Sequence, residues 1–150
     1  MGKISHILAT TFFTGYSPFA PGTAGALVGA ALYYFSPFFS GYYLLSLTVI
    51  IFFIGVQVAT VVEKRLGHDA PEINIDELVG VWCTYLFIPR THLLFVTIAG
   101  FILFRFFDIA KPPPVNQSQK LRKGWGVMTD DLLAGIYANA ALRILLKIFM

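Results

Sequence analysis

Long apolar stretches separated by short polar segments run through most of the chain. Because crossing about 30 Å of hydrocarbon takes roughly 20 helical residues, four stretches are predicted to span a membrane. They are residues 24–39, 42–62, 92–110 and 131–149. Residues 77–88 are apolar but short, so we expect a fifth span that is thin or partly sheltered. Residues 4–14 are too short to cross and are expected to lie in the interface or to re-enter beside the bundle.

The composition agrees with this pattern. Hydrophobic residues make up 57% of the 150-residue chain and charged residues only 13%, whereas a soluble domain carries about 25% charged residues. We therefore predict an all-α integral membrane protein, with one domain over residues 1–150 built as a compact bundle of about five transmembrane helices. The net charge of +3 is too small for a nucleic-acid-binding surface, so the expected partners are lipids. The sequence makes no prediction of oligomeric state.

The basic residues favour one orientation of this multi-pass bundle. If the loop before residue 24 faces the cytoplasm, eight of the 11 Lys and Arg residues lie inside. These are Lys3, Lys64, Arg65, Arg105, Lys111, Lys120, Arg122 and Lys123. Arg90, Arg143 and Lys147 lie outside. The positive-inside rule supports this arrangement.

All eight acidic residues fall on the cytoplasmic side of the same topology. Five of them belong to three separate motifs: NIDELVG (74–80), FRFFDIAKP (104–112) and MTDDLLAG (128–135). Asp76, Glu77, Asp108, Asp130 and Asp131 are therefore predicted to gather at one mouth of the bundle.

Each acid also has a purely structural interpretation. Carboxylates in the first turn of a helix are favoured by its dipole, Asn74 and Glu77 have the spacing of a capping box, and Thr129 could cap the last helix. Arg105 lies three residues before Asp108, which favours an intrahelical ion pair. Asp108 is the exception to the dipole argument, because it is predicted to lie at a helix C-terminus, where an anion is disfavoured.

The convergence of five carboxylates favours a metal site over these separate explanations. At an effective dielectric of about 20, two like charges roughly 4 Å apart repel by about 4 kcal/mol, and two cations cannot balance five acids. Hard oxygen ligands without a His or Cys cluster favour Mg²⁺. We therefore expect a Mg²⁺ site with ligands drawn from Asp76, Glu77, Asp108, Asp130 and Asp131.

The segments around these acids also suggest phosphate binding. Mg²⁺ is commonly completed by substrate phosphate oxygens, and Arg105 and Lys111 are placed to bind them. Residues 17–25 (SPFAPGTAG) lead into a helix whose N-terminal N–H groups can hold an anion, which adds Gly22 and Thr23 as weaker candidates. A rigid proline-shaped turn is the alternative. A site at headgroup depth implies a lipid phosphate as substrate rather than an ion pathway.

Four blocks of the chain resemble the phosphatidylglycerophosphatase A family. They are GYSPFAPGTAGAL (15–27), HDAPEINIDELVG (68–80), FRFFDIAKPPP (104–114) and GWGVMTDDLLAG (124–135). The resemblance implies a Mg²⁺-dependent phosphatase of the bacterial inner membrane, with its active site facing the cytoplasm. Its reaction converts phosphatidylglycerophosphate to phosphatidylglycerol in phospholipid biosynthesis. His68 and Asp69, within the second block, would help to position water.

For this reaction we predict catalytic roles for Asp76, Asp108, Asp130, Arg105 and Lys111, the two cations offsetting charge on phosphate. The nucleophile stays open between metal-bound water and an aspartate that forms a phosphoryl-enzyme. Two alternatives compete with the phosphatase interpretation. Another membrane lipid phosphotransferase would show a spread DxxDG motif, which is not visible. A small transporter or assembly subunit would carry ionisable residues in the middle of its helices.

Overall fold

The computed structural model describes residues 3–18, 20–67 and 70–149, and every regular element in these ranges is helical. The helices are α1 (Lys3–Ala9), α2 (Pro21–Phe35), α3 (Gly41–Leu66), α4 (Ile75–Tyr85), α5 (Leu93–Ala110), α6 (Val115–Ser118) and α7 (Gly124–Phe149), with a 3-10 turn at Thr14–Tyr16. The predicted all-α class is confirmed.

Three helices, α3, α5 and α7, are long and apolar enough to cross a membrane, so the chain is membrane-associated. The predicted count of five spans is not confirmed, because the 15 residues of α2 and the 11 of α4 are too few. At 1.5 Å per residue these helices rise only about 22 and 16 Å. Helix α2 corresponds to the predicted span 24–39 but has different bounds. It begins earlier because Pro21 suits the first turn of a helix, and it ends before Pro37.

The last helix begins well before the predicted start at residue 131. Its first residue, Gly124, lies against α3, where a Cβ would collide with the carbonyl oxygen of Val56. The Gly124 N–H donates to Thr60 Oγ1 at 3.1 Å. These contacts with α3 hold about two extra turns of α7 in place. The predicted cap at Thr129 is therefore wrong, because that residue lies inside the helix.

Helix α4 lies at the centre of the bundle, where all of its residues are buried. It packs most extensively on α7 and then on α2. Both crossings depend on small residues: a Cβ at Gly135 of α7 would collide with the carbonyl oxygen of Gly80, and one at Gly29 of α2 with Val81. Gly29 forms a GxxxG pair with Gly25, a spacing that permits close packing of membrane helices.

Arginine side chains cap the C-terminal ends of the two short helices. At the end of α2, Arg90 Nη1 donates to Tyr33 O at 2.8 Å and to Phe39 O at 3.2 Å. At the end of α4, Arg143 Nη2 donates to Leu86 O at 2.9 Å. Away from water each unsatisfied carbonyl costs several kcal/mol, and cations also complement the negative end of the helix dipole. The short helices can therefore stop inside the bundle.

Candidate active site

Three helices bring charged residues to one polar cavity of about 250 Å³. The first turn of α4, the C-terminal end of α5 and the second turn of α7 each supply part of its wall. It is lined by the five predicted carboxylates and both predicted cations: Asp76, Glu77, Asp108, Asp130, Asp131, Arg105 and Lys111. The convergence expected from three distant motifs is therefore present.

The carboxylates of this cavity are almost completely shielded from solvent. Their residues are between 2% and 8% exposed, Asp130 being the most buried and Glu77 and Asp108 the least. Buried charges interact far more strongly than exposed ones and persist only when they are paired or bound to an ion. The geometry of the cations therefore decides how this cluster is held.

Arg105 joins α4 to α5. Its Nη1 lies 2.5 Å from Glu77 Oε2 and 2.7 Å from Asp108 Oδ2. The intrahelical Arg105–Asp108 pair that the spacing favoured is thus present, but the guanidinium also reaches a second helix. This pairing accounts for an acid at the C-terminus of α5, where the helix dipole disfavours it.

Lys111 joins α5 to α7. It is the C-cap residue of α5, and its Nζ lies 2.7 Å from Asp130 Oδ2 and 3.9 Å from Asp108 Oδ1. Asp108 is therefore shared between the two cations. Burial lowers the pKa of the Lys111 ammonium, but the hydrogen bond and charge of Asp130, with Asp131 and Asp108, outweigh it and raise this pKa above its ordinary value.

The cluster keeps an excess of negative charge even with both cations in place. Burial, together with the charge of Asp108, raises the pKa of Glu77 to about 7, although Arg105 lowers it. Asp131 is buried, and its Oδ2 has no hydrogen-bond partner in the described part of the chain. Five carboxylates facing two cations make the cavity a place where a further cation is electrostatically favoured.

The start of α2 forms a further part of the wall, beside Ala70, Pro71 and Ile73. Gly22 lies so close to the Glu77–Arg105 pair that a Cβ there would collide with Glu77 Oε1 and lie 3.4 Å from Arg105 Nη1. The predicted phosphate candidate Gly22 thus lines the cavity, whereas Thr23 is half-buried beside it and does not. Pro21 also lines the wall and was not predicted to do so, although it belongs to the same loop.

Asn74 holds the α4 end of the cavity by a different route from the predicted capping box. It is the N-cap residue, but its side chain makes no capping hydrogen bond. Instead Nδ2 donates to Thr14 Oγ1 and to Pro21 O, each at 3.0 Å. The capping box is therefore wrong, and Asn74 ties the N-terminal turn and the start of α2 to α4.

The close α4–α7 crossing sets the distance between the acids on those helices. A Cβ at Gly80 would lie 2.8 Å from the carbonyl oxygen of Asp131, so the backbone of α4 touches α7 directly at the acidic residue. Gly80 and Gly135 were not predicted to matter, although they end the acidic motifs DELVG and DDLLAG. The predicted roles of His68 and Asp69 concern residues outside the described ranges.

The residues present fit Mg²⁺ in their chemistry. Among the described residues, no three His, Cys, Asp or Glu side chains already form a metal-binding group, and Arg105 and Lys111 engage several of the carboxylates. Mg²⁺ does not need such a cage, because one or two carboxylates with waters and phosphate oxygens usually hold it. The buried Asp131 Oδ2 and the all-oxygen donor set meet that requirement.

The fold and the site define a membrane-associated, all-helical protein with a buried acid–base cluster at one end of its bundle. The chain belongs to the phosphatidylglycerophosphatase A family, whose sequence profile matches residues 7–146. The resemblance inferred from the four sequence blocks is therefore confirmed.

Three relatives show how close this membership is. The chain is 36% identical over 140 residues to phosphatidylglycerophosphatase A of Escherichia coli, covering 91% of this chain and 80% of that protein. For the Haemophilus influenzae phosphatidylglycerophosphatase A the identity is 39% over 144 residues, with coverage of 89% and 83%. A Bacteroides thetaiotaomicron protein provisionally named phosphatidylinositol-3-phosphatase is 41% identical over 138 residues, with coverage of 88% and 87%. No solved structure matches the chain.

Proposed function

We propose that this chain is a phosphatase that hydrolyses phosphatidylglycerophosphate to phosphatidylglycerol and phosphate in the acidic cavity. Membership of the phosphatidylglycerophosphatase A family supports the reaction and the lipid substrate. The observation that carries the site is the meeting of five buried carboxylates with Arg105 and Lys111 at one end of the bundle.

Arg105 and Lys111 are proposed to bind the phosphate group. Both hold carboxylates through charge-assisted contacts, and a phosphate oxygen can replace a carboxylate oxygen in the same geometry. Their charge then offsets the negative charge that develops on the departing glycerol oxygen. The backbone at Gly22 adds to this binding surface, and Thr23 stays a weaker prediction.

We further propose that the cluster holds Mg²⁺. Asp131 and Asp76 are the first candidates to ligate it, with Asp130, Asp108 and Glu77 close by. When bound, the ion neutralises the phosphate oxygens and holds the phosphoryl group in position. Its charge would also relieve the repulsion among the five carboxylates.

The chemical step needs one oxygen nucleophile and one proton acceptor. In the first route a buried carboxylate takes a proton from water, whose oxygen bonds to phosphorus while the bond to the glycerol oxygen breaks. In the second route an aspartate oxygen bonds to phosphorus while the bond to the glycerol oxygen breaks, and water later cleaves the phosphoryl-enzyme to phosphate and free aspartate. In both routes the departing glycerol oxygen takes up a proton and leaves as the alcohol. Trapping of labelled phosphate on the protein distinguishes the two, since only the second route forms a covalent species.

The five larger helices are proposed to form one membrane-embedded bundle with the cavity at the cytoplasmic surface of the bacterial inner membrane. Helices α3, α5 and α7 would cross, and α2 and α4 would lie within the bilayer thickness, sheltered by them. The distribution of basic residues supports this orientation. Three aromatic residues near the N-terminus are largely exposed: Phe12 (73%), Phe13 (55%) and Tyr16 (51%). Exposed aromatic side chains suit a segment that lies at the membrane interface beside the cavity.

A second candidate substrate is phosphatidylinositol 3-phosphate. It is favoured by the name of the Bacteroides thetaiotaomicron relative, which is 41% identical to this chain. Both lipids present a phosphate monoester at headgroup level, so the same cavity could accept either. The two differ in the alcohol that leaves, which is a glycerol in one and an inositol ring in the other.

Phosphate release by the full chain in mixed detergent micelles tests these proposals. We expect release from phosphatidylglycerophosphate to exceed release from phosphatidylinositol 3-phosphate, and EDTA to abolish it. Asp130→Asn should reduce the rate by about 100-fold or more, because it removes a charge at the reacting group. Glu72→Gln, a loss of charge outside the cavity wall, is the matched control.

Each arm has an outcome that contradicts one proposal. Faster release from the inositol lipid would replace the first substrate with the second. Full activity in EDTA would show that the reaction needs no Mg²⁺, and the phosphatase assignment would still stand. Equal activity of Asp130→Asn and Glu72→Gln would show that the acidic cavity is not the active site.

A further inference from the structure

The end of the bundle opposite the acidic cavity is purely basic. No Asp or Glu occurs in residues 24–62, 78–107 and 132–150, so every acid of the described part of the chain lies in segments at the cavity end. The opposite end is formed by the C-terminal ends of α2, α4 and α7 and by the start of α5. It carries Arg90, Arg143 and Lys147. An anion approaching this end would therefore meet no acidic side chain.

A second cavity, of about 390 Å³, opens at this end. It is lined by Pro89, Thr91, Arg143, Leu146 and Lys147. Arg143 and Lys147 are four residues apart on α7 and so share one face of the helix. Leu146 and Pro89 add apolar surface beside these two cations. The lining thus combines two positive charges with an apolar wall.

The two cations keep donors that the described part of the protein does not use. Arg143 Nε donates to Asn139 Oδ1 at 2.8 Å, and its Nη2 donates to the carbonyl oxygens that follow α4. Its Nη1 therefore has no hydrogen-bond partner among the described residues. The Lys147 ammonium forms no ion pair with a described carboxylate. Because Arg143 is held by α4, its Nη1 is presented in a defined position.

We infer that this cavity binds the phosphate group of an anionic glycerophospholipid from the leaflet opposite the active site. Helix α7 rises about 24 Å between Asp131 and Lys147, which places the two cavities near opposite boundaries of a hydrocarbon layer. At that depth the anion available to Arg143 and Lys147 is a lipid headgroup. The apolar wall matches the glycerol and upper acyl chain of the same lipid, which free phosphate lacks.

Lipid retention by the purified full chain, measured by native mass spectrometry, tests this inference. The ligands are phosphatidylserine, which is anionic and is neither the proposed substrate nor its product, and phosphatidylcholine with the same acyl chains. Lys147→Gln removes one cation of the cavity without touching the caps of α4. Lys64→Gln is the matched control, since it removes an exposed lysine from the last turn of another spanning helix.

We expect wild type to retain phosphatidylserine in preference to phosphatidylcholine. Lys147→Gln should raise the half-saturating concentration of phosphatidylserine by about five-fold, the contribution of one lysine near a membrane surface, and Lys64→Gln should leave it unchanged. Equal losses of phosphatidylserine affinity in both variants would show an effect of general surface charge and would contradict a specific site. No loss in Lys147→Gln would overturn it as well. Displacement of the lipid by an equal concentration of inorganic phosphate would show a free-anion site, which also contradicts the inference.

Discussion

Lys111 Nζ lies 2.7 Å from Asp130 Oδ2 and connects the end of α5 to the second turn of α7. The backbone favours this contact, because Lys111 has a left-handed conformation with φ of 43° and is followed by Pro112, which stops the helix. The chain thus turns at the residue whose ammonium faces the acids. A side chain placed in this way can exchange a carboxylate for a phosphate oxygen without moving the helix.

Replacing Lys111 should therefore reduce catalysis more than stability. Lys111→Met keeps the length of the side chain but removes its charge, and we expect kcat/KM for phosphate release to fall by about 100-fold. Lys111→Arg should retain part of the activity. Lys120→Met, the loss of an exposed lysine outside the cavity, is the control. Similar rates for the two methionine variants would show that Lys111 does not contact the phosphate.

Replacing Asp131 should stabilise the protein without Mg²⁺ and weaken the stabilisation that Mg²⁺ provides. Asp131→Asn removes one of five buried carboxylates, so in EDTA the variant should unfold at a higher temperature than wild type. Mg²⁺ at about ten times its dissociation constant should stabilise wild type by roughly 1.4 kcal/mol and the variant by much less.

Thermal unfolding in detergent, followed by circular dichroism, measures both effects without any substrate. Glu72→Gln should respond to Mg²⁺ as wild type does. A normal Mg²⁺ response in Asp131→Asn would remove Asp131 from the proposed ligands.

The α4–α7 crossing should not tolerate a methyl group. In Gly135→Ala the new Cβ would meet the carbonyl oxygen of Gly80 and lie 2.9 Å from Cys83 Cβ, so the two helices must separate. We expect a loss of about 1–3 kcal/mol in unfolding free energy, together with reduced activity because Asp131 moves with α7. Ala140→Ser adds one heavy atom to an exposed position of the same helix and is the control. Unchanged stability of Gly135→Ala would contradict the close approach.

Arg90 should contribute to stability and not to chemistry. Its guanidinium donates to Tyr33 O, Tyr34 O and Phe39 O, and Arg90→Gln would leave some of these carbonyl oxygens without a donor. The expected cost is about 2–3 kcal/mol of unfolding free energy, with near-normal kcat at a temperature where the variant is folded. Arg65→Gln, an exposed residue of α3, should change neither quantity. A folded, stable Arg90→Gln would show that the α2 end needs no cap.

The proposed orientation predicts which thiols a membrane-impermeant reagent reaches. In a Cys83→Ala background, Thr91→Cys should be labelled in intact cells, because Thr91 lies at the end opposite the acidic cavity. Gln117→Cys, in α6 near the cavity end, should be labelled only after the membrane is opened. Both residues are exposed, so access and not burial decides the result. The reverse pattern would place the active site outside the cell.

The sequence predicted the acidic site better than it predicted the helix ends. Asp76, Asp108 and Asp130 were assigned to one end of the bundle from the order of apolar segments alone, and the structure brings them into one cavity. The start of α7 was misplaced because Gly124 and Gly126 are poor helix formers by themselves. Their close packing, Gly124 against α3 and Gly126 against the preceding loop, outweighs that local preference.

The structure explains two of the three basic residues that the predicted topology places on the external side of the membrane. Arg90 and Arg143 donate to carbonyl oxygens at the ends of α2 and α4, so both have a structural role beyond their charge. A sequence pattern does not reveal this, because each cap joins residues more than 50 positions apart.

The amino-acid sequence by itself determined the membrane-associated helical class, the family, and the separation of all acids from one end of the bundle. The helical class and the separation of the acids follow from hydropathy and charge order, and the family follows from four short sequence blocks; all of these are local properties of the chain. Only the tertiary structure decided that Asp108 serves both Arg105 and Lys111, that α4 is the buried centre, and that two helices stop short of spanning length. Those features depend on how closely glycine-bearing helices approach and on which distant donor meets each carbonyl or carboxylate, and only packing in three dimensions settles such partners.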